Sequence, residues 1–384
     1  MQFRDLKQQY QVLKKDIDEA MIKVATDCNF ISGAQVSELE KELAEYVGVK
    51  HCVTCANGTD ALSIAMMAWG IGSGDAVFVP DFTFFSSGEI VSHCGATPIF
   101  VDVDQDTYNL SVKSLEIAIE KVIKEDKLTP KAIVAVDLFG LPADFTKIRP
   151  IAEKYGLLIL EDGAQGFGGR IGDKIACSFG EISTTSFFPA KPLGCYGDGG
   201  AVFTDNDQWA DLMRSIRVHG KGTMKYDNVR IGLNSRLDTI QAAILYVKLK
   251  AFREYEVDAV NKAADQYTKL LEGAVKTPIV PDGFLSSWAQ YTIQLSDKET
   301  RDKLQQALKD KGIPSMIYYP KPMHKQLAFG IVEADGTGSY GFDCSVTERL
   351  CDTVLSLPMH PYLKDEDIRQ VAEVIREIVE VFKH

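Results

Sequence analysis

Three places in the sequence carry groups suited to holding a small charged ligand. Asn57-Gly58-Thr59 opens a helix directly after an apolar run, and the free backbone amides at a helix start bind phosphate. Asp162 ends the apolar run LLILED, where its carboxylate pairs either with a basic group of the chain or with a cationic nitrogen of a ligand. Lys191 follows another run, STTSFF, in a loop whose prolines exclude a helix and whose glycines allow close contact with a ligand.

The hydroxyl of Ser186, near the end of STTSFF, donates either to a phosphate or to the local backbone. A phosphate site, a carboxylate for a ring nitrogen and a lysine for a Schiff base are the three contacts that pyridoxal 5′-phosphate (PLP) needs. Asp162 and Lys191 each follow a strand, and consecutive strand ends meet at one cleft. The chain has neither G-x-G-x-x-G nor G-x-x-x-x-G-K-[ST], so it lacks the dinucleotide and P-loop fingerprints.

Alternating strands and helices must position these residues. Six short apolar runs alternate with helical stretches and predict a doubly wound α/β domain with a mainly parallel sheet: HCVTCA, AVFVP, PIFVDV, AIVAVDLFG, LLILED and STTSFF. A capping box of Ser37 and Glu40 is expected to open an earlier helix.

The pattern changes from Thr239, where helical periodicity holds for more than thirty residues. A strand (YTIQLS), a helix ending near Gly312, a strand (PSMIYY) and an amphipathic helix with Ile368 and Phe382 on one face follow. We therefore predict a large domain over 1–245 and a smaller α+β domain over 246–384.

The composition disfavours several classes of binding partner and location. The 384 residues include 42 Lys and Arg against 54 Asp and Glu, a net charge of −12 that disfavours nucleic acids and membrane surfaces as partners. The first twenty residues are densely charged, and no apolar run reaches bilayer length, which predicts a cytoplasmic protein. The eight cysteines are then reduced, and Cys52 and Cys55 are expected to fill a buried strand rather than bind zinc.

The whole chain resembles the DegT/DnrJ/EryC1/StrS family of sugar-nucleotide aminotransferases. Eight segments carry the resemblance: FRDLKQQY, ANGTDAL, PDFTF, LEDGAQ, SFFPAKPLGCYGDGGA, GLNSRLDTIQAAIL, YYPKPMHKQ and LSLPMHPYL. The resemblance implies PLP fold type I, with a mainly parallel seven-stranded sheet in the large domain and a small C-terminal domain. It also implies PLP as the cofactor, a homodimer with shared active sites, and no metal.

The resemblance assigns cofactor roles to matching positions. Lys191 forms the Schiff base and then moves a proton, while Asp162 pairs with the pyridine nitrogen. Phe84 of PDFTF either stacks on the ring or packs as a core aromatic. Gln165 lies by the ring hydroxyl, and the phosphate is held by Gly58, Thr59 and Ser186. Asn234 reaches the phosphate of the cofactor in the partner subunit.

Substrate roles follow in the same way. L-glutamate is the implied amino donor and a keto-sugar nucleotide the acceptor. SFFPAKPLGCYGDGGA is similar to members that aminate C3, and above all to UDP-2-acetamido-2-deoxy-3-keto-glucuronate aminotransferases of O-antigen and lipopolysaccharide synthesis. Arg236 is then expected to bind a C6 carboxylate, and Tyr318 and His324 either approach the sugar or pack within the chain. Relatives bind substrate at the loop matching Ile31, Ser32 and Gly33.

Three functions stay open from the sequence. The first is a transaminase, acting on the UDP-hexuronate or on a dTDP- or UDP-linked 3-keto- or 4-keto-6-deoxyhexose. The second is a PLP-dependent sugar dehydratase, but that branch carries His in place of the Schiff-base lysine and Lys191 is present here. The third is a regulator of the same fold, which the intact cofactor contacts disfavour.

Overall fold

The computed structural model describes residues 1–224, 226–330 and 342–381. Its α-helices are α1 (Leu6–Asp27), α2 (Ala34–Val47), α3 (Gly58–Trp69), α4 (Ser86–His93), α5 (Val112–Glu125), α6 (Phe145–Tyr155), α7 (Asp207–Ile216), α8 (Thr239–Ala251), α9 (Val257–Leu271), α10 (Lys298–Asp310), α11 (Ser345–Thr353) and α12 (Asp365–Val381). Its strands are β1 (His51–Cys55), β2 (Asp75–Pro80), β3 (Thr97–Val101), β4 (Thr129–Val136), β5 (Leu158–Asp162), β6 (Arg170–Ile171), β7 (Lys174–Ile175), β8 (Ile182–Ser186), β9 (Gly200–Thr204), β10 (Phe284–Leu285), β11 (Tyr291–Gln294) and β12 (Val354–Leu357). No helix in these ranges is long and apolar enough to cross a lipid bilayer.

A seven-stranded sheet lies at the centre, in the order β1-β9-β8-β5-β4-β2-β3. Strands β3, β2, β4, β5 and β8 are parallel, whereas β9 runs antiparallel to both β8 and β1. Successive residues of β4 point to opposite faces of the sheet. Val134 packs in the cluster that includes α3 and α4, and Ile133 packs in the cluster with α5 and α6. The predicted α/β class and strand number are confirmed.

The C-terminal part follows most of the sequence pattern. Helices α8 and α9 are joined by a π-helical turn, Phe252–Glu256, which gives the long helical stretch that the periodicity predicts. β11 pairs antiparallel with β12, and α9, α10 and α12 pack with them in one core. Ile368 lies in this core, whereas Phe382 lies outside the described residues. The domain division stays a prediction, and its boundary falls within α8.

Two local predictions are wrong. PSMIYY does not form a strand, because only Met316 pairs with β12, through an isolated bridge to Ser356. Ser37 and Glu40 do not form a capping box, because α2 begins earlier and Ser37 Oγ donates to a carbonyl inside the helix, that of Ala34, at 2.9 Å. Glu40 instead accepts a hydrogen bond from Arg217 Nη1 at 2.6 Å.

The predicted burial of Cys52 and Cys55 in a strand is confirmed. Cys52 and Cys55 are buried in β1 as free thiols. Burial raises the pKa of both thiols, which keeps them protonated and inert at neutral pH.

Candidate active site

Asp162 is the last residue of β5, and only 4% of its surface is exposed. Its Oδ2 accepts a hydrogen bond from Ser87 Oγ at 2.7 Å, and its Oδ1 accepts one from Ala164 N at 3.2 Å. Burial raises the pKa of Asp162, and the hydrogen bonds and the charge of Lys191 oppose this effect. Both hydrogen-bond donors are neutral, so a buried carboxylate is left without a hydrogen-bonded cation among the described residues.

Lys191 lies half-buried in the loop between β8 and β9. Burial lowers the pKa of its amine, and Arg4 adds to the effect while the negative charge of Asp162 opposes it. A lowered pKa increases the fraction of neutral amine, which is the nucleophilic form. Asp162 and Lys191 thus share one electrostatic environment, as the strand ends predict.

The start of α3 offers open amides. Asn57 caps the helix, with its Oδ1 accepting from Asp60 N at 2.8 Å. Gly58 N and Thr59 N precede the first hydrogen bond of the helix, so they remain available to an anion. A Cβ atom on Gly58 would lie 2.7 Å from Ser186 Cβ, so the helix start directly contacts the end of β8. The structure therefore brings the predicted phosphate residues together.

An aromatic group lies beside them. Phe84 is 53% exposed, and its ring centroid is 6.3 Å from that of Tyr319, so it is not a buried core aromatic. Gln165 Nε2 donates to the hydroxyl of Tyr319 at 3.0 Å. Tyr319, which the sequence reasoning missed, therefore joins the predicted stacking residue to the predicted ring-hydroxyl residue. Its neighbour Tyr318 is half-buried, with its ring centroid 6.2 Å from that of Phe3.

The predicted partner-facing residues lie side by side. Arg236 Nη2 donates to Asn234 Oδ1 at 2.7 Å. Ser235 between them is fully buried, and its Oγ accepts from Ala56 N at 3.0 Å. Because neighbouring side chains in an extended segment point to opposite sides, Asn234 and Arg236 face outward together.

Part of the predicted substrate loop joins this pair. Ser32, Gly33 and Arg236 line one cavity of about 190 Å³. Gly33 N donates to Thr239 Oγ1 at 3.1 Å, which ties the loop to the start of α8. Ile31 is 44% exposed beside it. The loop and the arginine therefore form one surface.

His324 has contacts of a different kind. It is 6% exposed, its Nδ1 lies 2.6 Å from Asp81 Oδ2, and its Nε2 lies 3.3 Å from Glu348 Oε1. Asp81, His324 and Cys344 offer ligand atoms within 4.8 Å of one another, but the Asp81–His324 distance is that of a direct hydrogen bond rather than of two ligands sharing a metal. Of the two alternatives for His324, these contacts support packing within the chain.

Comparison with known proteins identifies the family. The sequence profile of the DegT/DnrJ/EryC1/StrS aminotransferase family matches residues 11–376. The chain belongs to this family. It is 42% identical over 378 residues to a UDP-2-acetamido-2-deoxy-3-oxo-D-glucuronate aminotransferase of Pseudomonas aeruginosa, covering 98% of this chain and 99% of the relative. A UDP-N-acetyl-3-dehydro-α-D-glucosamine 3-aminotransferase of Acidithiobacillus ferrooxidans is 42% identical over 375 residues, covering 97% and 96%.

The fold comparison agrees. The crystal structure of a DegT/DnrJ/EryC1/StrS aminotransferase from Brucella abortus matches with a TM-score of 0.94 and 49% identity, covering 98% of this chain and 99% of that one. The protein is thus an aminotransferase, and aminotransferases of this family depend on PLP.

The site fits that cofactor. In the described ranges no cation is hydrogen-bonded to the buried carboxylate of Asp162, and a protonated pyridine nitrogen would supply one; the open amides of α3 suit a phosphate. A side chain at Gly58 would fill the space between α3 and β8. The half-buried amine of Lys191 supplies the group that a Schiff base needs.

Proposed function

We propose that the protein moves the amino group of L-glutamate to C3 of a UDP-linked 3-keto-hexuronic acid, in the cytoplasm, for surface polysaccharide synthesis. The Asn234–Arg236 pair carries this proposal, because it presents a guanidinium at a cavity shared with Ser32 and Gly33. The names of the two 42% identical relatives support an acceptor that is a UDP-linked 3-keto sugar.

The chain's own residues divide the work. PLP supplies an electron sink when bound. Asp162 holds the ring nitrogen in its protonated form, and Gly58, Thr59 and Ser186 hold the phosphate. Burial favours the neutral form of the Lys191 amine. In that form Lys191 moves the proton between the substrate carbon and the cofactor carbon. The presence of this lysine argues against the dehydratase alternative.

Arg236 is suited to a uronate. One of its terminal nitrogens donates a hydrogen bond to Asn234 Oδ1, which restrains the guanidinium. The other edge of the fork is then oriented for a carboxylate through two parallel hydrogen bonds.

The site is completed by a second copy of the chain. Asn234 and Arg236 face outward, and the segment just before them exposes Met224, Val229 and Ile231 by 71%, 55% and 87%. Several exposed apolar side chains within one short segment are what an interaction surface needs. We infer that this surface packs on the partner subunit and delivers the pair to the partner's cofactor site.

The carboxylate assignment is tested with Arg236→Lys, which keeps the charge and loses the fork. A charge-assisted hydrogen bond contributes about 1.5–3 kcal/mol, so kcat/KM for a UDP-3-keto-hexuronate should fall about 10- to 150-fold. The analogue without the carboxylate serves as the matched substrate and should be little affected. Equal losses on both substrates would show that Arg236 does not bind the carboxylate.

The shared site is tested with hybrid dimers. Lys191→Ala and Arg236→Met are each expected to be nearly inactive on the hexuronate. If Arg236 serves the partner, a hybrid dimer contains one site in which both residues are intact. Subunit exchange of an equal mixture should then restore about a quarter of the wild-type activity, since half of the dimers are hybrids with one good site each. A mixture as inactive as its components would place Arg236 in its own subunit's site.

A further inference from the structure

The loop that carries Lys191 is held from behind by two positive side chains. Arg4 Nη2 donates to the carbonyl of Lys191 at 2.7 Å and to that of Pro192 at 3.2 Å. Lys248 Nζ donates to the carbonyl of Gly194 at 2.6 Å. Three carbonyls within four residues are thus fixed by cations, which form stronger hydrogen bonds than neutral donors. We call Arg4 and Lys248 the loop clamp.

Arg4 is itself held firmly. The carbonyl of Phe3 accepts a hydrogen bond from Met359 N at 3.2 Å, and Asp5 caps α1 by accepting from Gln8 N at 2.8 Å. The residues on both sides of Arg4 are therefore tied to different parts of the fold. Burial lowers the pKa of Arg4 to about 10, which leaves it charged at neutral pH.

Lys248 is buried without an ion pair. It is 1% exposed, and its Nζ lies 4.6 Å from the ring centroid of Tyr196. Burial lowers its pKa to about 8, and the charge of Glu256 opposes this shift. Among the described residues no carboxylate is in ion-pair contact with it, and Glu256 Oε1 instead accepts from Gln9 Nε2 at 2.8 Å and Tyr362 OH at 2.7 Å. Burying an amine without an ion pair costs free energy, and the hydrogen bond to the carbonyl of Gly194 offsets part of that cost. The contact with the loop is therefore the main structural role of Lys248.

We propose that Arg4 and Lys248 are positioning residues for Lys191, which act by fixing the backbone of residues 191–194 so that the amine is presented towards Asp162. The proposal rests on the assignment of Lys191 as the Schiff-base lysine. Both side chains hydrogen-bond to the loop backbone and act on Lys191 through it. The charges that act on the Lys191 amine are Asp162 and Arg4, so removing Arg4 also changes its protonation.

The test compares Arg4→Met, Arg4→Lys and Arg376→Met. Arg376 is the matched control, because its Nη1 also donates to two backbone carbonyls, those of Leu270 and Glu272 at 2.8 and 3.0 Å, in another part of the chain. In Arg4→Met, kcat should fall at least about 10-fold, by analogy with residues that orient metal ligands, with an unchanged KM for the amino donor. Arg4→Lys should recover part of the loss, and Arg376→Met should match wild type.

A second readout needs no cofactor. In the cofactor-free protein, the pH dependence of Lys191 acetylation by acetic anhydride, measured by mass spectrometry, reports the pKa of its amine. This pKa should rise in Arg4→Met and stay near the wild-type value in Arg4→Lys and Arg376→Met. Amide hydrogen exchange across 187–195 should also speed up at least about 10-fold in Arg4→Met alone.

The outcomes separate the two proposals. An Arg4→Met protein with wild-type kcat, Lys191 reactivity and loop exchange would overturn the clamp and leave the role of Lys191 untouched. A Lys191→Ala protein that keeps normal turnover would overturn the Schiff-base assignment. Lys248→Met combined with Arg4→Met should cost less than the sum of the two single effects, because both hold one loop; full additivity would contradict a shared role.

Discussion

Replacing Asp162 with Asn separates catalysis from stability at one residue. The carboxylate has two neutral hydrogen-bond donors, Ser87 Oγ and Ala164 N. An Asn carbonyl keeps the bond from Ala164, and its amide can donate to Ser87 Oγ, whose own hydrogen can turn to Thr83 Oγ1 at 3.1 Å. The hydrogen bonds of the fold therefore survive, and the loss is confined to the negative charge that holds a protonated ring nitrogen.

The magnitude follows from that single loss. A hydrogen bond to a charged group contributes about 1.5–3 kcal/mol, which corresponds to about 10- to 150-fold weaker cofactor retention and at least an equal fall in kcat. The free energy of unfolding of the cofactor-free protein, in contrast, should not decrease. The pKa of Asp162 is raised in the folded state, so its contribution to stability is complete below its unfolded pKa near 4 and is lost as pH rises through the folded value. Asn has no such loss, so the variant without cofactor should be at least as stable as wild type at pH 7, with an advantage that grows from pH 4 upwards.

The assay uses cofactor-free and cofactor-loaded protein side by side. Thermal unfolding of the cofactor-free proteins is followed between pH 4 and 8, and cofactor loss is followed by visible absorbance during dialysis. Ser87→Ala, which keeps the carboxylate, is the control and should lose much less activity. A cofactor-free Asp162→Asn protein that unfolds at a lower temperature than wild type at pH 7, or one with near-wild-type kcat, would refute this reasoning.

Two further sets of substitutions test the lysine and the buried acids beside the site. Lys191→Ala should abolish turnover and the visible band of bound cofactor, because within the described parts of the chain no second amine is assigned to form the Schiff base; residual normal transamination would exclude this role. Burial and the charge of Glu161 raise the pKa of Asp137, so the stability that Asp137 contributes is lost as pH rises above about 4. The free energy of unfolding of Asp137→Asn, measured by chemical denaturation, should therefore increase relative to that of wild type as pH rises. Glu161→Gln should lower the free energy of unfolding by about 1–3 kcal/mol. Glu161 accepts hydrogen bonds from Cys177 N, Phe179 N and Ser183 Oγ, and the NH2 group of a glutamine would face one of these donors. Equal stability would show that Glu161 is protonated.

The large sheet was predictable because buried parallel strands are continuous apolar runs. Asp162 and Gly58 were found for the same reason, since strand ends and helix starts are visible in sequence. β9 was not among the predicted runs, because it directly follows the glycines of the Lys191 loop and one of its two antiparallel partners, β1, is distant in sequence. Glu40 was misassigned because its partner, Arg217, is 177 residues away.

The supporting residues had no local signal. Ser87 is one of two serines in PDFTFFSSG, and its bond to Asp162, 75 residues further along the chain, forms only in the folded protein. Arg4 lies in the motif FRDLKQQY, yet its target carbonyl is 187 residues further along the chain. Such contacts depend on tertiary packing, which single-residue types and spacing do not encode.

The clamp on the Lys191 loop also sets an order of assembly during synthesis. Arg4 can reach its carbonyls only after residue 192 has left the ribosome, and the carbonyl of Phe3 can reach the amide of Met359 only after residue 359 has. At about 5–20 residues per second, the two ends of that last contact are made roughly 20–70 s apart. Closing so long a loop comes after local helices and strands have formed. The contact between Phe3 and Met359, which holds the residue next to Arg4, is therefore the last of these contacts that can form.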